Sequence, residues 1–208
     1  MSDSDGLSIP QFDGPPVADA GRIRTVLVTA PSLATHRTRV CGELLDVADP
    51  EETNLLFVTY TSRPADKLAV VEEYLDGDPA NVVVVDVAAG RSNYPDADGV
   101  GVEMVSGGDL TELGVEITDR LSSWSSTDRR TVVGFDSVTA LAQYADPSVV
   151  YEFLHTLSGE LVDADAFGHF HLNPQAVDDQ LVQQLLPIFD AVVRRDAETG
   201  ELAFDHTG

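Results

Sequence analysis

The sequence predicts a three-layer α/β/α domain built around a mostly parallel β-sheet. One observation is the run NVVVVDVA at 81–88, which is apolar without alternation, as is typical of a strand covered on both faces. A second is that such runs alternate with amphipathic stretches of helical period, the order that βαβ units produce. A third is the hydrophobic content, 43% of 208 residues, which is enough for one sizeable core.

The first part of the chain supplies two pairs of a strand and a helix. RTVLVTA at 24–30 predicts a buried strand, and the apolar spacing over 33–47 predicts a helix. NLLFVTYTS at 54–62 predicts a second strand. The helix predicted at 64–75 begins with Pro64, and proline suits the first turn of a helix because its missing N–H would have no partner there.

The middle of the chain predicts a third strand at 81–88, bounded by turn residues. Residues 91–108 are rich in Gly and Asp and predict an irregular loop. A helix is predicted at 109–124, with Asp109 as its N-cap. The segment 130–141 begins as another strand and turns into a helix start.

The last part predicts a helix at 147–164, a strand at 167–174 and a helix at 176–190. The segment 191–204 has two short apolar runs around a polar turn and predicts a terminal β-hairpin. These elements complete the sheet, which ends in the hairpin.

The chain is expected to form one domain, at 21–204. Residues 1–20 are acidic and rich in Pro and Gly, so they predict a flexible N-terminal tail. Residues 205–208 predict a short C-terminal tail.

The charge balance is strongly acidic, with 36 Asp and Glu against 12 Lys and Arg and a net charge of −24. An acidic binding surface or a nucleic-acid mimic would concentrate its acids, whereas these are spread along the chain and Lys67 is the only lysine. Molar salt shortens the Debye length to about 3 Å and so screens such repulsion. A near-absence of lysine with abundant Asp resembles the proteome bias of haloarchaea, so we interpret the composition as an adaptation to high salt. The net charge disfavours binding to nucleic acid.

The sequence predicts a cytoplasmic protein. Its first residues lack the basic start and apolar run of a signal peptide, and no apolar run is long enough to span a membrane. Cys41 is the only cysteine, so an intramolecular disulfide is excluded, and we expect Cys41 to pack as a small hydrophobic residue.

Three segments resemble the RecA-like ATPase core in its KaiC-like branch: VLVTAPSLATHRTRV, LLFVTYTSRPADKL and TVVGFDSVTAL. The resemblance covers about residues 22–204 and lies in the order and pattern of the segments. It implies that they correspond to the Walker A loop, the strand that precedes paired catalytic acids, and the Walker B strand. Pro64 also matches the family pattern.

The segment that resembles a Walker A loop has lost the residues of G-x-x-x-x-G-K-[ST]. Ala30 and Thr35 stand at the glycine positions, His36 at the lysine position and Arg37 at the Mg²⁺ ligand position, followed by Thr38. Arginine has only donors, so it does not ligate Mg²⁺. One interpretation is that His36, Arg37 and Arg39 bind another anion at a helix N-terminus, and the favoured one is that they are surface residues.

The other two segments differ from each other. Thr61 and Ser62 stand where the resemblance implies paired catalytic acids, and a hydroxyl is no general base at neutral pH. Asp136 and Ser137 do match the end of a Walker B strand. An Asp at a strand end is also common as a turn or helix cap, so we interpret Asp136 as a structural relic, with a role at a metal as the other interpretation.

Two further patterns resemble functional sites. His169 and His171 are two apart on a predicted strand and share a face, so they could begin a zinc site, with His155 or Asp163 as a further ligand. Strand histidines are more often satisfied by neighbours, and no metal is predicted. Asp86 ends a strand like the phospho-acceptor of a receiver domain, but the acidic pair and the lysine that a receiver needs are missing.

The sequence thus predicts a non-catalytic RecA/KaiC-like domain that acts in regulatory or signalling protein–protein interaction, with no cofactor. The resemblance also implies self-association, since RecA-like domains associate edge to edge. The alternative is a divergent nucleotide-binding protein or ATPase that holds ATP and Mg²⁺ with His36 and Arg37 in place of the Walker A residues. A third interpretation, a DNA-associated regulator, is disfavoured by the charge.

Overall fold

The structure is a computed structural model that describes residues 23–30, 40–42, 44–45, 49–87, 100–105, 109–195 and 202–207. Its strands are β1 (Thr25–Thr29), β2 (Thr53–Thr59), β3 (Asn81–Asp86), β4 (Val100–Met104), β5 (Arg130–Asp136), β6 (Phe167–Leu172), β7 (Ala191–Arg195) and β8 (Leu202–His206). Its longer helices are α1 (Pro64–Tyr74), α2 (Leu110–Ser125), α3 (Val138–Tyr144), α4 (Pro147–Asp163) and α5 (Asp179–Leu185). Residues 40–42 and 44 are also helical.

The eight strands form one sheet in the order β4-β3-β2-β5-β6-β1-β7-β8. All neighbouring pairs are parallel except β7 and β8, which form the antiparallel hairpin predicted at the end of the chain. The carboxyl ends of the seven parallel strands therefore lie at one edge, where open α/β sheets bind their ligands. The predicted fold class is confirmed.

Helices cover both faces of the sheet. One face packs against α2, α3, α4 and α5, and contributes Phe135 and Phe170 to that core. The other face packs against the helical residues around Cys41 and against α1, and contributes Phe57 and Val84. This second face is called the α1 face below. Among the helices of the described ranges, none is long and apolar enough to cross a membrane.

Two sequence predictions are wrong in this part of the molecule. The segment 91–108 was expected to be irregular, but Val100–Met104 forms β4 and pairs in parallel with β3. Its valines alternate with Gly101, whose missing Cβ leaves room for the Val83 side chain. Within the described ranges, β3 is the one strand that pairs with this short strand. Glycine in the run made it look like a loop.

The other wrong prediction is a continuous helix at 176–190. The α-helix spans only Asp179–Leu185, with short 3₁₀ turns before and after it. Asp178 starts it by accepting a hydrogen bond from the backbone N–H of Gln180. Pro187 lacks the N–H that a further α-helical turn would use, so the chain tightens into a 3₁₀ turn before β7. At the other end of the hairpin, β8 reaches His206, two residues beyond the predicted 191–204.

Candidate functional site

A row of polar residues crosses four neighbouring strands at the carboxyl edge of the sheet, on the α1 face. Asp86, Thr59, Asp136 and His171 are register neighbours on β3, β2, β5 and β6. All four are buried, although polar residues at strand ends are usually solvated. Burial of polar groups costs free energy unless they are paired, so we expect the side chains of this row to have hydrogen-bond or ion-pair partners. It is called the polar row below.

Lys67 is paired with the carboxylate of this row. It lies on the buried side of α1, together with Pro64, Val70 and Val71. Its Nζ donates a hydrogen bond of 2.7 Å to Oδ2 of Asp136, and only 7% of the Lys67 side chain and 5% of the Asp136 side chain are exposed. At such burial the attraction between the two charges is far stronger than in water.

The turn after β2 adds a second donor to the same oxygen. The Ser62 hydroxyl donates to Asp136 Oδ2 at 3.3 Å. The Thr59 hydroxyl donates to the Ser62 carbonyl at 2.9 Å, and its oxygen accepts from the Ser62 N–H at 3.1 Å. The two hydroxyl residues therefore hold the turn beside the ion pair, and Oδ2 of Asp136 is engaged twice.

The residue after Asp136, and not Asp136 itself, caps the following helix. The oxygen of the Ser137 side chain accepts a hydrogen bond of 3.2 Å from the N–H of Ala140 at the start of α3. The peptide bond between Asp136 and Ser137 is cis. The carboxylate of Asp136 is therefore not used on the helix, and it faces Lys67.

A second group of polar side chains lies on the α1 face beside the ion pair. It comprises Cys41, His169 and His171, each buried, with one possible ligand atom from each within 4.8 Å of the other two. His169 Nδ1 and His171 Nε2 are 2.9 Å apart, so a single proton bridges the two rings. Across the strand pair, Gly134 faces His169 in register, and a Cβ on it would lie 3.0 Å from His169 Nε2.

Burial sets the protonation states of this group. It raises the pKa of the Cys41 thiol to about 11; the neighbouring Asp136 raises that pKa further and Lys67 opposes it. Burial also holds the pKa of His169 well below its usual range, and the nearby His171 and Lys67 lower it further. At neutral pH the chain alone therefore carries a protonated thiol and a neutral His169 imidazole.

A cavity of about 240 Å³ opens at the carboxyl ends of β1, β5 and β6. Thr61, Ser137, Thr139, Gln143 and Asn173 contribute polar groups to its wall, and His171 connects it with the buried group. It is smaller than the usual range of pockets for drug-sized ligands, about 300–1,000 Å³.

Some of the predicted site residues lie together at the carboxyl edge of the sheet, and others lie outside the described residues. Ala30 lies at the end of β1, where its N–H donates to the Leu172 carbonyl, and it lines the cavity. Asp136, Ser137, Thr61 and Ser62 do come together at the carboxyl edge. Thr35, His36, Arg37 and Thr38 lie outside the described residues, as does Arg39.

The predicted further ligands of the histidine pair are wrong. His155 lies on α4, exposed and stacked on Tyr151, and Asp163 is at the exposed end of the same helix. Because α4 packs on the opposite face of the sheet, neither approaches His169. Within the described residues, the group around the histidines includes Cys41 instead.

Sequence reasoning missed the roles of Lys67 and Cys41. The signal for Lys67 was its position: it lies on the same helical stripe as Val70 and Val71, and a charged residue on a buried stripe needs a partner. For Cys41 the signal was weaker. The apolar neighbours Val40 and Leu44 indicate that Cys41 is buried. No spacing rule predicts that it lies near His169, which follows 128 residues later in the chain.

Comparison with known proteins gives a family and a fold. A family described as "Family of unknown function (DUF7504)" matches residues 24–195. No curated protein matches the sequence. A solved structure, "Structural study of Project ID PH0250 from Pyrococcus horikoshii OT3", matches with a TM-score of 0.60 at 10% identity, covering 88% of this chain and 86% of that one. At this identity the likeness extends to the fold alone.

Proposed function

We propose that this chain, which belongs to the DUF7504 family of unknown function, is a non-catalytic RecA/KaiC-like domain that recognises another protein. The observation that best supports the absence of catalysis is the buried ion pair of Lys67 and Asp136. The Walker B Asp of P-loop ATPases holds Mg²⁺. In this chain the corresponding carboxylate already has an ammonium group at 2.7 Å, which supplies the positive charge that a divalent cation would supply.

The turn after β2 supports the same proposal. Thr61 and Ser62 offer hydroxyls where the resemblance implies paired acids, and the Ser62 hydroxyl is used on Asp136. A water molecule at this edge would meet no carboxylate from that turn to accept its proton. Both a metal site and a general base would have to be rebuilt before this edge could hydrolyse a nucleotide.

Calorimetric titration of the whole chain with ATP, in molar KCl with and without Mg²⁺, tests the loss of catalysis. We expect no saturable heat in either condition and no release of phosphate. Micromolar affinity for ATP that is lost in Arg37→Ala would overturn the proposal and establish the alternative, a divergent nucleotide-binding protein. Arg129→Ala is a matched control, because Arg129 is a half-exposed arginine remote from the carboxyl edge.

One observation favours that alternative, namely the cavity at the carboxyl ends of β1, β5 and β6. The hydroxyl and amide groups in its wall could hydrogen-bond a small polar ligand. Ala30, at the start of the segment that resembles a Walker A loop, also lines this cavity. Its volume of about 240 Å³ is small for a nucleotide. The same titration, repeated with inorganic phosphate, distinguishes an anion site from a nucleotide site.

The surface between α2 and α4 supports a role in protein recognition. A groove of about 470 Å³ runs between these helices, and it is called the α2–α4 groove below. Leu110, Val115, Val149 and Phe153 form its apolar wall, with Val115 55% and Val149 42% exposed. Among the described residues, the large exposed hydrophobic side chains all lie on α2, α3 and α4: Val115, Tyr144, Val149, Tyr151 and Val162. Their concentration on one side of the molecule indicates an interaction surface.

The acidic residues around the α2–α4 groove favour a partner with basic residues. Asp119, Glu152 and Glu160 line it beside the apolar residues. We assign it to a partner helix that has apolar residues on one face and arginine or lysine at its edges, since this complements both the wall and the acids.

The test of this assignment uses a synthetic helix with leucine on one face and arginine at the flanks, with a second peptide that carries glutamate at the flanks. We expect saturable binding of the arginine peptide, which Val149→Asp weakens at least tenfold and Val71→Ala, on the opposite face, leaves unchanged. Equal binding of both peptides, or no effect of Val149→Asp, would refute the assignment. A concentration-dependent mass in sedimentation would instead assign the groove to a second copy of this chain.

A further inference from the structure

We propose that Cys41, His169 and His171 bind a zinc ion between the sheet and the helical residues on its α1 face. One possible ligand atom from each lies within 4.8 Å of the other two, and all three residues are at most 3% exposed. One thiolate sulphur and two imidazole nitrogens form a donor set that suits zinc and does not suit Mg²⁺ or Ca²⁺. This inference is independent of the proposed function.

The backbone positions the three donors. His169 and His171 are two residues apart on β6, so both side chains point to the α1 face. Cys41 belongs to the helical residues that cover this face and packs with Val40 and Leu44 in the same core. The site therefore joins two elements that are distant in sequence, and a bound ion would fix the covering segment against the sheet.

Gly134 provides the room that the histidines occupy. It is the register neighbour of His169 on β5, and a Cβ there would lie 3.0 Å from two atoms of the His169 ring and from Phe57. That distance is tighter than ordinary van der Waals contact. With glycine at this position, the His169 ring lies over the strand without a clash.

The two ring nitrogens that share a hydrogen bond lie close to the separation that one zinc ion requires. Two nitrogens bound to one zinc ion at about 2.0–2.1 Å in tetrahedral geometry lie about 3.4 Å apart. His169 Nδ1 and His171 Nε2 are 2.9 Å apart, so a small rotation of the rings brings them to that distance.

The surroundings complete the site. Asp136 is the register neighbour of His171 on β5, so a negative charge lies on the strand beside the proposed ligands. The pairing of Asp136 with Lys67 neutralises the ammonium group, so it presents no isolated positive charge to the ion. Three protein ligands leave a fourth position, and the cavity that His171 lines offers a water molecule access to it.

The proposal is tested on the whole chain, prepared without a histidine tag and stripped with a chelator. Titration with ZnCl₂ alone in molar KCl is expected to give one equivalent bound and a higher melting temperature. Co²⁺ in place of Zn²⁺ is expected to give the thiolate-to-metal absorption band. Cys41→Ala, which keeps a small apolar residue in the core, is expected to abolish that band and weaken zinc binding at least tenfold.

Matched variants keep the test interpretable. His155→Asn, an exposed histidine on α4, is expected to bind zinc as the parent does. Apo Cys41→Ala is expected to melt near the parent apo protein, so that loss of binding is separated from loss of folding; should it unfold, Cys41→Ser is used in its place. Absence of stoichiometric zinc binding, or a thiolate band that persists without Cys41, would overturn the proposal.

Discussion

Lys67 Nζ lies 2.7 Å from Asp136 Oδ2 in a part of the protein that water barely reaches. In a chain with 36 acidic residues, the single lysine is used inside, on one buried carboxylate. At molar salt, ion pairs on the surface are screened, whereas a buried pair is screened much less. The pair connects α1 with β5 and thereby fixes the helix over the carboxyl edge of the sheet.

Replacement of Lys67 by Met is expected to destabilise the fold by about 3–5 kcal/mol, because it leaves the Asp136 carboxylate buried without its counter-charge. Urea unfolding in molar KCl measures the effect. Arg194→Ala is the control, since the Arg194–Asp205 pair is about 60% exposed and should contribute less than about 1 kcal/mol. An equal loss of unfolding free energy in the two variants would mean that the buried ion pair contributes no more to stability than the exposed one.

The double variant Lys67→Met with Asp136→Leu is expected to recover most of the lost stability. Removal of both charges avoids the uncompensated buried carboxylate, and apolar replacements of buried pairs are often neutral. A double variant no more stable than Lys67→Met alone would show that the hydrogen bond from Ser62 and the packing at Asp136 matter more than the charge.

Alanine substitutions at Gly134 and Gly159 are expected to change the stability of the fold in opposite directions. Gly134→Ala is expected to cost about 1–3 kcal/mol, because the new Cβ would press on His169 and Phe57. Gly159→Ala is expected to stabilise by about 0.5–1 kcal/mol, since Gly159 is exposed in the interior of α4 with nothing within 4 Å of the new Cβ. Thermal unfolding of the two variants in one buffer should therefore move in opposite directions, and a shift of the same sign would contradict the contact at Gly134.

Net charge predicts a strong dependence of stability on salt. With −24 charges on 208 residues, self-repulsion grows as the Debye length lengthens from about 3 Å at 1 M to about 30 Å at 0.01 M salt. The melting temperature, followed by circular dichroism, is expected to fall steadily as KCl is diluted. Full stability in dilute buffer would contradict the interpretation as an adaptation to high salt.

The fold could be predicted from the sequence because its signals are local. The continuous valines of β3 and the helical spacing of α2 each report burial within a few residues. The strand β4 was missed because Gly101 and Glu103 are weak strand formers, so its pairing with β3 depends on tertiary context.

The candidate site was predicted only in part, for the same physical reason. Asp136 stood out because a strand ends there, but its partner Lys67 lies 69 residues earlier, on a helix of the covering layer. Cys41 and His169 are likewise brought together by the packing of a helical segment on β6. Contacts between layers leave no periodic signal, so the ion pair and the position of Cys41 beside the two histidines became visible only in the assembled sheet.

The start of β1 depends on one carboxylate before β7. Asp190 Oδ2 accepts hydrogen bonds from the N–H groups of Arg24 and Thr25 at 2.7 and 2.9 Å, and from the Thr25 hydroxyl at 3.2 Å. Asp190→Ala leaves those donors unpaired and is expected to cost about 2–4 kcal/mol in urea unfolding. Asp190→Asn keeps an oxygen acceptor and should cost less, while Asp205→Ala on the exposed side of β8 should change stability by no more than about 0.5 kcal/mol. A similar loss in all three variants would show that the removed negative charge, and not the hydrogen bonds to β1, determines the effect.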